Sequence, residues 1–397
     1  MSRVPLVAFA KICESVRYGY TASASEQEVG PRFLRITDIV SDSIDWDSVP
    51  FCEIDDSDKE RFALEAGDIV VARTGATVGY AKLIRDSVDA VFASYLVRFR
   101  VDGKQADPGF VGRLVESFIY KDFVKSRVGG AAQPNANAQV LGSFQFRLPL
   151  RREQKRIADI FSAYDDLIEN NRRRMALLEE AARQLYREWF VRLRFPGHEH
   201  TRITNGVPDG WERKTLADFC EEILESVSPD VLEPDTPYIG LEHMPRRSIS
   251  LSDWGKVEKV SSNKHRFRAG EILFGKIRPY FHKVGIAFVD GVASSDAIVI
   301  RPLGDKLCGL VLMTVSSDDF VAVTAQTMKE GSKMPRADWK QMQQYLVLLP
   351  PHGLLNSFES VIHPLVEQLR TLSFANQKLR AARDLLLPRL MSGEIMV

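Results

Sequence analysis

Four short stretches of the sequence gather side chains that can grip a phosphate or read the edge of a base. "RTGATVGYAK" (residues 73–82) carries Arg73, Thr74 and Lys82, and "KIRPYFHK" (276–283) carries Lys276, Arg278 and Lys283. "AAQPNAN" (131–137) adds Gln133 and Asn135, and "EGSKMPR" (330–336) adds Lys333 and Arg336. Lysine and arginine neutralise phosphates or donate to guanine, whereas Asn and Gln exchange paired hydrogen bonds with adenine. This is the chemistry of recognition; no bond is made or broken by it. Taken singly, each residue is equally well explained as a solvated surface group.

Motifs for catalysis are missing, and no catalytic residue or metal ligand is assigned. Residues 73–82 lack the GKS/T ending and spacing of a phosphate-cradling loop, so a strand-to-strand turn explains their glycines better. The acids of "PDGWERK" (208–214) fall within one tight turn, and His198 and His200 in "PGHEH" have no further ligand beside them. There is no GxSxG elbow, no HExxH pair and no Asn-Pro-Pro-aromatic tetrapeptide of the kind that holds a base for amino methylation. Cys13, Cys52, Cys220 and Cys308 are scattered and read as reduced thiols. With no apolar leader and no apolar run of about 18 residues, a cytoplasmic location without membrane contact is expected. Lys plus Arg and Asp plus Glu each total 53, which excludes a uniformly basic protein but not a local basic surface.

The elements that position these residues occur twice. "EAGDIVVARTG" (65–75) matches "RAGEILFGKIR" (268–278): Ala-Gly and an acid precede an apolar strand, and a basic residue, Arg73 or Lys276, ends it. "PRFLRITDI" matches "TPYIGLEHM", and "FASYLVRFR" matches "ASSDAIVIR". "GGAAQPNANAQVLGSFQFRLP" then matches "EGSKMPRADWKQMQQYLVLLP", with Pro134 against Pro335 and Pro149 against Pro350. The order is preserved throughout, so the chain is an internal repeat. Short strands followed late by helical stretches such as "GFVGRLVESFIYKDFVKSRV" (109–128) predict α+β blocks. The expected divisions are a first block at 1–150, a helix at 151–195, a linker at 196–210, a second block at 211–350 and a final helix at 351–397.

Both helices carry an apolar seam that alternates steps of four and three. One runs from Ile157 through Phe161, Tyr164 and Ile168 to Trp189; the other runs from Phe358 through Ile362, Leu365 and Leu369 to Leu390. Each seam includes one asparagine, Asn171 and Asn376, of the kind that fixes register at some cost in stability. Arg383 on the second seam weakens the pairing expected there, and Pro388 should end or bend that helix. Two heads on an antiparallel two-helix spacer, related by a pseudo-two-fold axis, is the expected architecture. Ile157 to Trp189 would span roughly 50 Å, more than one turn of duplex DNA at ~34–36 Å. Because the heads differ, an asymmetric bipartite target with an unread gap would suit them.

The run "LPLRREQKRIADIFSAYDDLIENNRRRMALLEEAARQLYREWFVRLRFPGHE" resembles the central conserved region of specificity (S) subunits of type I restriction–modification systems. "PDGWE" is similar to the start of their second target-recognition domain, and "RDLLLPRLMSGEI" to their C-terminal conserved helix end. "AAQPNANAQVL" and "GSKMPR" resemble segments near the close of such domains. The "EQKRI" signature occurs in the first helix alone. The resemblance implies that 1–150 and 211–350 are target-recognition domains of a non-catalytic chain that binds double-stranded DNA. It implies no cofactor on this chain, two methylation subunits carrying S-adenosylmethionine, and two restriction subunits using ATP and Mg2+. Two other readings stay open on the residues: a DNA methyltransferase with an unrecognised site, and a coiled-coil scaffold without DNA readout.

Overall fold

In each half the acid of the Ala-Gly-acid signature starts a strand and anchors it. Asp68 is buried and takes Arg100 of the neighbouring strand in two parallel bonds of 2.7 and 2.8 Å, while buried Glu271 takes Arg301 through a single Nε contact of 2.5 Å. A computed structural model describes residues 5–129, 134–259, 262–326, 335–391 and 394–395. They fall into two units: Met1–Asp166 with Leu379–Val397, and Leu167–Lys378.

The first unit is built on a four-stranded sheet with the spatial order Cys13–Tyr18, Leu96–Val101, Asp68–Ala72 and Ala81–Leu83, all antiparallel. The second unit repeats that order as Cys220–Ile223, Ala297–Pro302, Ile272–Gly275 and Val284–Ala287, and adds Ser250–Leu251 in parallel. A parallel pair follows in each: Arg32–Leu34 with Ala90–Phe92, and Pro237–Ile239 with Gly291–Ala293. Each block closes by pairing its first strand with its last, Leu6–Ala8 with Gln145–Arg147 and Glu212–Thr215 with Leu346–Leu349. The repeat read in the sequence is therefore a repeat of topology, and the mixed α+β class holds.

The helical stretch at 109–128 is two helices, Pro108–Glu116 and Phe118–Val128. Ser117 divides them because its hydroxyl donates to Leu114 O at 2.6 Å and accepts from Tyr120 N, ending one helix and capping the next.

The first long helix is Arg151–Tyr186, continued by one π-helical turn, Arg187–Val191; the second is His352–Met391. Gln154, buried under the "EQK" signature, accepts from Asp107 N at 2.7 Å and donates to Pro149 O at 2.8 Å. That ties the start of the helix to the block before it. Within the second unit the helices run antiparallel: Asn171 Nδ2 donates to Asn376 Oδ1 at 2.9 Å, and Trp189 lies 5.8 Å from Phe358 between ring centres. Within the first unit, Asp165 meets Arg383 at 2.8 Å, again antiparallel.

Arg383 does not weaken the seam as expected, because Asp165 neutralises it there. Pro388 does not end the second helix, which continues to Met391. Leu386, Leu387 and Leu390 pack into the first unit's core, and that burial offsets one missing donor in the last turns. Among the described residues no single helix is long and apolar enough to cross a membrane.

The asparagine pair gives a first test. Asn171→Leu should cost about 1–3 kcal/mol, because the amide of Asn376, 5% exposed, loses its partner. Asn171→Leu combined with Asn376→Leu should recover most of that loss in urea denaturation. Strictly additive losses would show that the two amides are not coupled.

Candidate nucleic-acid interface

Strand Asp68–Ala72 runs directly into Arg73, whose backbone is held on both sides. Arg73 N donates to Tyr95 O at 3.0 Å, and Arg73 O accepts from Ala136 N at 2.8 Å. Gly75 N donates to Pro134 O at 3.0 Å, so the segment around Pro134 is strapped across the strand end, with Thr74 opposite Asn135. The Arg73 guanidinium stacks 4.8 Å from the centre of the Tyr18 ring and makes a long 3.5 Å contact with Asn135 Oδ1. Tyr18 is itself fixed, its hydroxyl accepting from Ala138 N at 2.9 Å. Asn137 caps the helix that follows by accepting from Val140 N.

The second unit builds the same frame. Lys276 N donates to Asp296 O at 2.7 Å, Lys276 O accepts from Ala337 N at 2.8 Å, and Arg278 N donates to Pro335 O at 3.0 Å. Ile277 stands opposite Arg336, and Asp338 caps the next helix. The side chains differ. Arg336 pairs with Asp296 at 3.2 Å, and Lys276 lies 3.8 Å from Glu222. Arg278 takes the place of Gly75, and His282 that of Gly79. The glycines have φ of 73° and 83°; Arg278 and His282 hold the same left-handed conformation at 51° and 53°. Side-chain-bearing residues pay for that backbone, and such strain concentrates where a side chain must be placed.

The frame thus joins sequence candidates that stand far apart in the chain: Arg73 and Thr74 with Asn135, and Lys276 and Arg278 with Arg336. Gln133 and Lys333 lie outside the described residues. The amines of Lys82 and Lys283 are engaged elsewhere, each donating to a backbone carbonyl, of Asp42 and of Leu241. Burial lowers the pKa of both. Lys82 lines a cleft of about 270 Å³ with Arg113, Lys121 and Arg383. Sequence reasoning missed Tyr18, Tyr95 and Asp296. The aligned stretches "FASYLVRFR" and "ASSDAIVIR" contain the last two, but their pairing to the basic strand end follows only from the sheet order. Among the described residues no three of His, Cys, Asp or Glu gather to hold a metal ion.

His282 anchors the second unit's turn, with Nε2 2.8 Å from Ser316 O and its own carbonyl accepting from Arg247 N at 2.9 Å. Burial holds its pKa below 6.5; Arg247 and Arg183 push the same way, against the Ser316 bond and Asp318. A base whose folded pKa is depressed adds stability above its unfolded pKa and loses it as pH falls through the folded value. The thermal midpoint should therefore drop between pH 7.5 and pH 5.5, and drop less in His282→Asn, which tolerates the left-handed backbone. Equal drops in both proteins would dismiss His282 as the titrating group.

Residues 48–180 match the type I restriction modification DNA specificity domain. The type I restriction enzyme MjaIX specificity subunit of Methanocaldococcus jannaschii is 24% identical over 302 residues, 72% of this chain and 68% of that one. The type I restriction enzyme HindI specificity subunit of Haemophilus influenzae is 20% identical over 84% of this chain and 87% of its own. Over most of its length the chain is similar to type I restriction enzyme specificity subunits. The crystal structure of a type I restriction–modification S subunit from M. genitalium shares the fold, with a TM-score of 0.56, 13% identity, and 98% and 97% of the two chains covered. The matched model describes a DNA specificity domain, a role in DNA recognition.

Proposed function

We propose that this specificity subunit reads an asymmetric bipartite duplex target, one half-site through residues 1–150 and the other through 211–350. What carries the reading is the shared frame: one backbone arrangement presents Arg73 and Asn135 in one unit and Lys276, Arg278 and Arg336 in the other. Identical scaffolds with different polar side chains suit two different half-sites. The long helices set the unread gap between them, with the Asn171–Asn376 pair fixing their register. A helix of 36 residues is roughly 54 Å long.

The chain positions methylation subunits, which bring S-adenosylmethionine to adenine in each half-site. Restriction subunits bring ATP and Mg2+. The exposed basic cluster Arg151, Arg152, Lys155 and Arg156 at the start of the first long helix suits contact with a methylation subunit better than with the DNA backbone.

Replacing residues 1–150 with the equivalent of another family member should change one half-site and leave the other as it was. Mapping modified adenines in cells that carry the hybrid measures this. A change in both half-sites, or in neither, would overturn the division of labour.

A further inference from the structure

The two units supply an internal comparison, because their frames match bond for bond while their exposed side chains do not. At the position whose carbonyl takes the strand-end amide, the first unit has Tyr95, 58% exposed, and the second has Asp296. At the strap position opposite the strand end, the first unit has Asn135 and the second Arg336, both exposed. At the left-handed turn, the first has Gly75 and the second Arg278. All three positions adjoin one strand end, and in both units the hydrogen bonds that fix their backbone run between main-chain atoms.

We propose that in each unit the strand end and its proline strap form a single reading element, in which Tyr95 and Asn135 select the bases taken by the first unit and Asp296, Arg278 and Arg336 those taken by the second. This rests on the half-site reading above and assigns it to particular residues. The chemistry differs in kind. Asn135 offers the amide that pairs with adenine, beside the arginine stacked on Tyr18. In the second unit Arg278 and Arg336 can donate to guanine, and the Asp296 carboxylate accepts from the cytosine amino group. The first element therefore reads an A·T pair and the second a G·C pair.

The test is a graft between the copies. The full-length chain, assembled with its methylation subunits, selects duplexes from a randomised pool as wild type and as Gly75→Arg, Tyr95→Asp, Asn135→Arg. The graft should lose the A·T preference at one position of the first half-site in favour of G·C by about 10- to 100-fold and leave the second half-site unchanged. The reciprocal graft, Arg278→Gly, Asp296→Tyr, Arg336→Asn, should do the converse at the second half-site, and it decides the matter if the first fails to fold. Unaltered preferences in a folded graft overturn the assignment of these residues. A wild type that selects no paired sequence overturns the half-site reading itself, which is a separate failure.

Discussion

Asp165→Ala should destabilise the first unit by about 3–5 kcal/mol. Asp165 is 7% exposed and holds three guanidinium groups: Arg85 at 2.6 Å, Arg383 at 2.8 Å, and Arg113. Removing it strands cations that were desolvated on the understanding of one shared anion, and a buried unpaired charge costs far more than a surface pair contributes. The three arginines would not suffer alike. Arg85 is partly exposed and can turn to solvent, and Arg113 keeps Glu116 at 3.1 Å. Among the described residues Arg383 keeps only Asp384, on its own helix and exposed. Most of the loss should therefore fall on the contact between the second long helix and the first unit. Guanidinium denaturation measures it, and Arg383→Met made in the Asp165→Ala background should restore part of it. A loss below about 1 kcal/mol would place Asp165 with ordinary surface ion pairs.

Arg278→Gly should move stability and binding in opposite directions. Glycine adopts φ near 51° freely, whereas arginine pays about 1–2 kcal/mol there, so the variant should melt higher, by about 1 kcal/mol after glycine's own entropy cost. If the guanidinium contacts a base, target affinity should fall about 10- to 100-fold. Arg278→Ala separates the two effects, since it removes the guanidinium yet keeps the strained backbone. It should lose affinity without gaining stability. Affinity unchanged in both variants would leave the strain without a function in recognition, and an unchanged melting point in Arg278→Gly would remove the strain argument itself.

Much of this was legible in the sequence, for identifiable reasons. The Ala-Gly-acid signature marked Asp68 and Glu271 because a strand start that buries a carboxylate must supply its arginine, and both copies do so. The prolines at 149 and 350 marked the passage from closing strand to long helix. The alternating seam gave two antiparallel helices. The sequence misled where a neighbour distant along the chain decides the outcome. Arg383 looked like a defect in the seam until Asp165, 218 residues away, was found beside it. Tyr18, Tyr95 and Asp296 escaped notice because periodicity tells which face a residue takes, not which strand lies next to it. Lys82 and Lys283 resembled surface cations because their carbonyl partners leave no mark in composition.

The straps around Pro134 and Pro335 share the same main-chain bonds: a proline carbonyl on one side and an alanine amide on the other. Every residue type brings the same amide and carbonyl to such a frame, so the side chains at 135 and 336 can change without loosening it. A lineage could then acquire a new target by single substitutions, each passing through a folded intermediate. Evolvability of this kind costs the main-chain frame little, because variation falls on side chains whose backbone bonds do not depend on them.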